Sequence, residues 1–396
     1  MATFTDLQNG FYNKFSQALG LPEGSPFQLL QPSPPLVEGP TQDTALWNYF
    51  NNIPPYSLTQ NFIVSGGNQF YSDYSGLMSA LAGAQVNFEG DIGPKATEAW
   101  NAFVLTLPPT TTVGQFPLIF RNWALTHGFS SVAVKGASDL AAMLLDPISN
   151  AQLALMLYLP NGVQQVDFDA NYQALLALLR VAPSRSFTIN DVSSGSDVSK
   201  TWTGGSNSGF FGLWGGSSSE ETESQQYASS KVDVAISFQH VLTFGANPGA
   251  WYNSSAAGLA FSVTDGGPPW VESSPIKWSN TFGAPNGNLQ RFAASLIIVS
   301  GMKVTVTAST TFSTAQQTKI QNNSSGGLWP FYSGGSSSSS TTGSSFNDAG
   351  NMTTEISTLP DVPIVLGVNV ISAAEFLGHS ANGVAIHQEA LARVAA

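Results

Sequence analysis

The chain has 396 residues, 42% apolar and 11% aromatic, enough to build a sizeable folded core. Charged residues make up only 10%, against roughly 25% in ordinary soluble proteins, so Gly, Ser, Thr and Asn carry the polar surface. Acidic residues outnumber basic ones 25 to 13, the net charge is −12, and Lys and Arg are scattered singly. That excludes the basic stripe of a nucleic-acid binder and disfavours electrostatic attachment to an anionic membrane.

Cysteine is absent, which removes disulfides, thiolate nucleophiles and cysteine-ligated metal centres. Low charge with heavy Ser/Thr/Asn use is commoner in extracellular, fibre-like, capsid-like or toxin-like β proteins than in cytosolic enzymes. The start, MATFTDLQNGFYNKFSQALG, has no basic n-region and no uninterrupted apolar stretch, so it does not read as a signal peptide. No window reaches the ~18 apolar residues of a membrane helix. The expectation is a soluble protein whose release, if any, follows a leaderless route.

Residues 1–182 read as a helical domain. Phe4, Leu7, Phe11, Phe15 and Leu19 paint one helix face, and LLQPSPPLVEGP then reads as an extended proline-rich connector. TALWNYFNN is the next helix, and Phe70, Tyr74, Leu77 and Leu81 form another apolar stripe. KATEAWNAFVLTL follows Pro94, a favourable first-turn proline. FPLIFRNWALTHGF, ASDLAAMLL, AQLALMLYL and DANYQALLALLRV complete the set.

The period changes near Ala182-Pro183, and residues 183–377 read as an antiparallel β-rich domain, giving an α+β chain. Val232, Val234, Ile236, Phe238, His240, Leu242 and Phe244 alternate with mostly polar residues, and Val304, Val306, Ala308, Thr310 and Phe312 alternate with Thr and Ser. SFTINDV, LAFSV, SLIIVS and PIVLGVNVI supply further strands, and residues 378–396 return to a helix around HQEALARVAA.

Two stretches echo each other, SNSGFFGLWGGSSS and SSGGLWPFYSGGSSS. Leu213-Trp214 and Leu328-Trp329 lie 115 positions apart and the Gly-Gly-Ser-Ser-Ser runs 119 apart, so the second carries four additional residues. They read as duplicated strand–tip–strand units over 186–244 and 303–370, two long hairpin-like arms. Residues 201–219 and 320–347 contain no charge. Leaving a large apolar side chain in water forgoes roughly 1.5–3 kcal/mol of burial, so something covers these tips: the chain's own body, another subunit or a lipid surface.

Ser/Thr-rich, low-charge alternating arms with Gly-rich apolar tips resemble the insertion hairpins of β-pore-forming toxins. AQQTKIQNNSSGG and GGSSSSSTTGSSFNDAG present no continuous apolar face of the ~9–11 residues a lipid-crossing strand needs. On that resemblance the arms line water or pack on protein, and only the tips enter lipid. The membrane- or partner-binding residues are then Phe210, Phe211, Leu213 and Trp214 with Leu328, Trp329, Phe331 and Tyr332.

No other motif fixes a reaction. His240 falls on the apolar face of a strand, where a backbone-bonded core histidine is the ordinary outcome. His127, His379 and His387 match no zinc spacing. GHSAN (378–382) departs from the nucleophile elbow at Asn382 and suits a glycine helix stop instead. Asp167, Asp169 and Asn171 have calcium-loop spacing without the closing glycine and glutamate, and suit a helix cap. Phosphate-cradling glycine motifs are absent, so neither cofactor nor metal is expected.

Three functions remain. The first is a non-enzymatic membrane- or partner-engaging protein, an oligomerising pore-forming-type toxin that uses the aromatic tips. The second is a self-assembling structural protein whose arms dock into neighbouring subunits. The third is an enzyme with an unrecognised interdomain site built from scattered acids and His240.

Overall fold

The computed structural model describes residues 27–29, 36–54, 69–84, 86–108, 110–158, 166–192, 232–264, 266–283, 287–323 and 340–379, together with Leu19 and Ser230. The mixed α+β class holds: helices occupy residues 42–179, and the C-terminal part builds two antiparallel sheets. The chain divides into two compact units. One contains Met1–Gly67, Ala170–Ala246 and Arg291–Ile371, and the other Asn68–Asp169, Asn247–Gln290 and Ser372–Ala396. The boundary expected at residue 182 falls inside the middle segment of the first unit.

The first unit contains β1 (Phe27–Leu29), β2 (Arg185–Val192), β3 (Val232–Phe238), β4 (His240–Gly245), β5 (Arg291–Ser300), β6 (Lys303–Thr311), β7 (Ser340–Phe346), β8 (Asn351–Thr358) and β9 (Ile364–Ser372). The sheets have the orders β1-β9-β5-β4 and β2-β3-β6-β8-β7. Three chain segments pass from one sheet into the other, β3 into β4, β5 into β6 and β8 into β9. They kink together at Gln239, Gly301-Met302 and 359–363, as strands do when they turn the corner of a sandwich. At the corner Gln239 N–H donates to the Ser300 carbonyl at 3.0 Å, and Thr358 N–H to that of Met302 at 2.9 Å.

Val234, Ile236, Phe238, Val304, Val306 and Ala308 from the five-stranded sheet share one core with Phe27, Ile297, Val299, Ile364 and Leu366 from the four-stranded sheet. Helices Gln42–Asn51 and Tyr172–Leu179 pack on β5 as well. A strand covered on both sides has little solvent side to write in polar residues, hence the largely apolar β5 and β9, whose interior Ser295 and Asn369 bond each other at 2.9 Å. Strands β3, β6 and β8 are covered on one side only and alternate strictly.

The second unit is built on helices. Pro94 opens helix Pro94–Val104 at its first turn, and the Asn87 and Asp146 side chains cap the helices Phe88–Ile92 and Pro147–Leu157. Trp100 centres one core, with ring centroids of Phe120, Trp123 and Phe116 at 5.0, 5.3 and 5.8 Å. Helix Ala133–Leu145 lies so close to Phe120 and Ile92 that only a glycine fits at position 136. The stripe Phe70, Tyr74, Leu77 is buried as its spacing predicts.

Three expectations need correction. LAFSV is not a strand: it lies in helix Ser254–Ser262, started by an Asn253 cap and buried through Ala256, Ala257 and Ala260. A five-residue apolar run does not distinguish a strand from a buried helix turn. The polar stretch after β6 is helix Thr314–Asn323 rather than a continuing arm. The alternation from Val232 to Phe244 is two strands, because Gln239 sits at the corner. The helix expected over 380–396, and that of residues 4–18, lie outside the described residues.

Candidate functional site

In sequence, each of the two aromatic stretches precedes a strand of the five-stranded sheet, β3 for the first and β7 for the second. Strands β2 and β3 pair antiparallel, with Val192 and Val232 as the partners at one end of the ladder. The second stretch follows helix Thr314–Asn323 and precedes edge strand β7, whose first residue, Ser340, pairs with Thr358. Thr358 lies at the opposite end of the sheet from Val232, which pairs with Ala308 near the far end of β6. The two stretches are therefore not equivalent hairpins. Their flanking strands do lie side by side in both cases, β2 on β3 and β6 on β8. The 119-residue offset of the Gly-Gly-Ser-Ser-Ser runs also carries Val232, which opens β3, onto Asn351, which opens β8. Phe210, Phe211, Leu213, Trp214, Leu328, Trp329, Phe331 and Tyr332 all lie outside the described residues.

The outer face of this sheet is bare and carries small hydroxyls. Register aligns Ser186, Ser237, Lys303 and Ser357 in one row, and Thr188, Ala235, Thr305, Glu355 and Gly343 in the next. Asp233, Thr307, Thr353 and Ser345 form a third row, in which the Thr307 and Thr353 hydroxyls lie 3.4 Å apart. Most side chains here are short, and the charges in these rows are Lys303, Glu355 and Asp233, one in each row.

Elsewhere the candidate chemistry is absorbed by structure. His240 Nδ1 donates to the Ala182 carbonyl at 2.8 Å. His127 bonds the Trp123 carbonyl and stacks on that indole, and His379 lies against Phe261. Asp167 accepts from the Tyr158 hydroxyl at 2.8 Å, and Asp169 clamps both the main-chain and side-chain nitrogens of Asn247 at 2.7 and 2.8 Å. Asn171 caps helix Tyr172–Leu179. These oxygens have protein donors, which is what a cap or clamp needs and a calcium ligand does not. Gly378 closes helix Ala373–Phe376 with φ of 78°, the conformation of a helix stop.

Two groupings escaped the sequence. Trp251 is fully buried among Phe70, Tyr71, Tyr74, Phe168 and Tyr252, and its indole N–H donates to the Asp167 carbonyl at 2.9 Å. At the edge of that cluster Asp73 accepts from Asn288 at 3.2 Å through one oxygen, while its other oxygen is buried without a partner. Burial pushes the Asp73 carboxyl up to about 6, opposed by the hydrogen bonds from Asn288 and the Gln69 backbone. Burial likewise raises the Tyr74 and Tyr252 hydroxyls. The second grouping is Lys135, held between Asp91 and the buried Asp139 at 2.5 Å each. The Lys135–Asp139 spacing of four is legible in sequence, but Asp91 joins only through the packing of two helices.

Among the described residues no helix is long and apolar enough to cross a membrane, and no group of three or more His, Cys, Asp or Glu is placed to hold a metal ion. The chain matches no protein-family profile, and neither a curated protein nor a solved structure shows significant similarity to it.

Proposed function

We propose that this chain is a non-enzymatic protein that engages a lipid surface through its two aromatic tips, in the manner of an oligomerising, pore-forming-type toxin. The observation that carries the proposal is that two uncharged Gly/Ser stretches, each with a Leu-Trp centre, precede in sequence strands β3 and β7 of one Ser/Thr-rich antiparallel sheet. Trp and Tyr join an apolar body to a polar edge, which suits the boundary between lipid tails and headgroups. A patch of this kind on a sheet with a nearly neutral polar face offers apolar contact where the net charge offers no electrostatic one. Phe210, Phe211, Leu213 and Trp214 insert from one tip, and Leu328, Trp329, Phe331 and Tyr332 from the other.

The test is leakage of dye from neutral phosphatidylcholine vesicles. The double substitution Trp214→Ser with Trp329→Ser is expected to abolish vesicle binding and leakage while leaving circular dichroism unchanged. Undiminished leakage in that variant removes the proposal. Large particles in lipid-free buffer, lost in the same variant, support the alternative in which the arms dock into neighbouring subunits.

A further inference from the structure

The edge of the four-stranded sheet is occupied in an unusual way. Strand β1 has only three residues, and it pairs Phe27, Gln28 and Leu29 with Asn369, Val368 and Gly367 of β9. Phe27 is 1% exposed and belongs to the sandwich core, so this short strand contributes a core side chain from the sheet's rim. Position 367 is built to receive it, since a Cβ there would lie 2.5 Å from the Phe27 ring. Seven residues further on, the Leu36 N–H donates at 2.9 Å to the carbonyl of Pro363, the residue before β9. Pro32, Pro34 and Pro35 fall in between, and proline has no N–H for a ladder.

We propose that the β9 edge is an exchangeable strand-acceptor site, and that on association its occupant is the Phe27–Leu29 strand of a second copy of this chain. The strand is held by its main-chain ladder and by the buried Phe27 and Gln28 side chains, all of which a second copy supplies equally, so the same strand satisfies the site in trans as in cis. The strand is short, and three of the six residues that follow it are prolines, which have no N–H to give to a ladder. Val37, Glu38, Pro40 and Thr41 beyond it are exposed and precede helix Gln42–Asn51, a ready hinge. Strand β9 itself, Ile-Val-Leu-Gly-Val-Asn-Val-Ile-Ser, carries none of the charges or prolines that keep an uncovered edge from pairing. An uncharged strand with an aromatic opposite Asn369 whose ring lies over Gly367 fits it, and β1 is such a strand. This inference does not depend on the aromatic tips.

The absence of cysteine makes the test direct. In the full chain carrying Gln28→Cys and Val368→Cys, register partners in the ladder, oxidation yields an intrachain bond if the strand stays at home and interchain bonds if it is exchanged. Non-reducing electrophoresis is expected to show covalent dimers and larger species that rise several-fold across two decades of chain concentration. A purely intrachain product at every concentration, with dimers still present on a sizing column, would overturn the proposal. As a second measurement, a fluorescein-labelled peptide of residues 22–34 is incubated with the unsubstituted full chain. Its polarisation should rise, and Gly367→Val in the chain or Phe27→Ser in the peptide should abolish the rise. No rise even at the highest chain concentration tested also counts against exchange.

Discussion

Gln239 and Gly301 meet at the corner where the strands change sheets: Gly301 has φ of 56°, and a Cβ placed on it would lie 2.7 Å from the Gln239 Cβ. The corner is therefore a close backbone approach that glycine alone fits without strain. Both sheets inherit their alignment from it, because β5 and β6 are one segment on its two sides.

Gly301→Ala should cost about 1–3 kcal/mol, from the left-handed backbone and the contact with Gln239. Denaturant unfolding monitored by far-UV circular dichroism reads this loss. A midpoint equal to that of the unsubstituted chain would mean that the corner tolerates a side chain.

Trp251→Ala should be among the most damaging single changes in the second unit, at about 3–5 kcal/mol, since it empties the centre of an aromatic cluster. Trp251→Phe keeps most of the packing and loses the bond to the Asp167 carbonyl, at roughly 1 kcal/mol for that bond. Near-UV circular dichroism and thermal unfolding of the two variants should rank in that order.

Asp73 makes a pH dependence of unusual sign. Burial raises its carboxyl to about 6 in the folded state, whereas the unfolded value is about 3.9. Between these values the folded chain holds the extra proton, so this group's contribution to stability falls as pH rises from about 4 to about 6 and stays low above that. Asp73→Asn should stabilise the chain at pH 7 by about 1 kcal/mol, after allowing for the solvent that still reaches the group, and flatten that part of the profile. An Asp73→Asn chain no more stable than the parent at pH 7 would show that the buried oxygen carries no penalty.

Much of the helical half was legible because its signals are local. Asn171 before Tyr172 and Pro94 at a first turn act within one turn of chain, and the spacing of Phe70, Tyr74 and Leu77 states which face is dry. Helix Thr314–Asn323 was missed through its polarity, although Ser313 and Gln316 form a capping box that the sequence displays. The buried Asp73 and the joining of Asp91 to Lys135 were illegible, because burial and the approach of separate helices decide them.

What the sequence determined by itself is the alternation of β3 and β6, the largely apolar character of β5 and β9, and the charge-free character of the two aromatic stretches. Each depends only on which side of a residue meets water. Only the tertiary structure decided that those strands turn a shared corner, that the Phe27 ring lies against Gly367, and that Val232 and Ser340 open their strands at opposite ends of one sheet. These depend on register between segments far apart in the chain, and no residue's own preference encodes its distant partner.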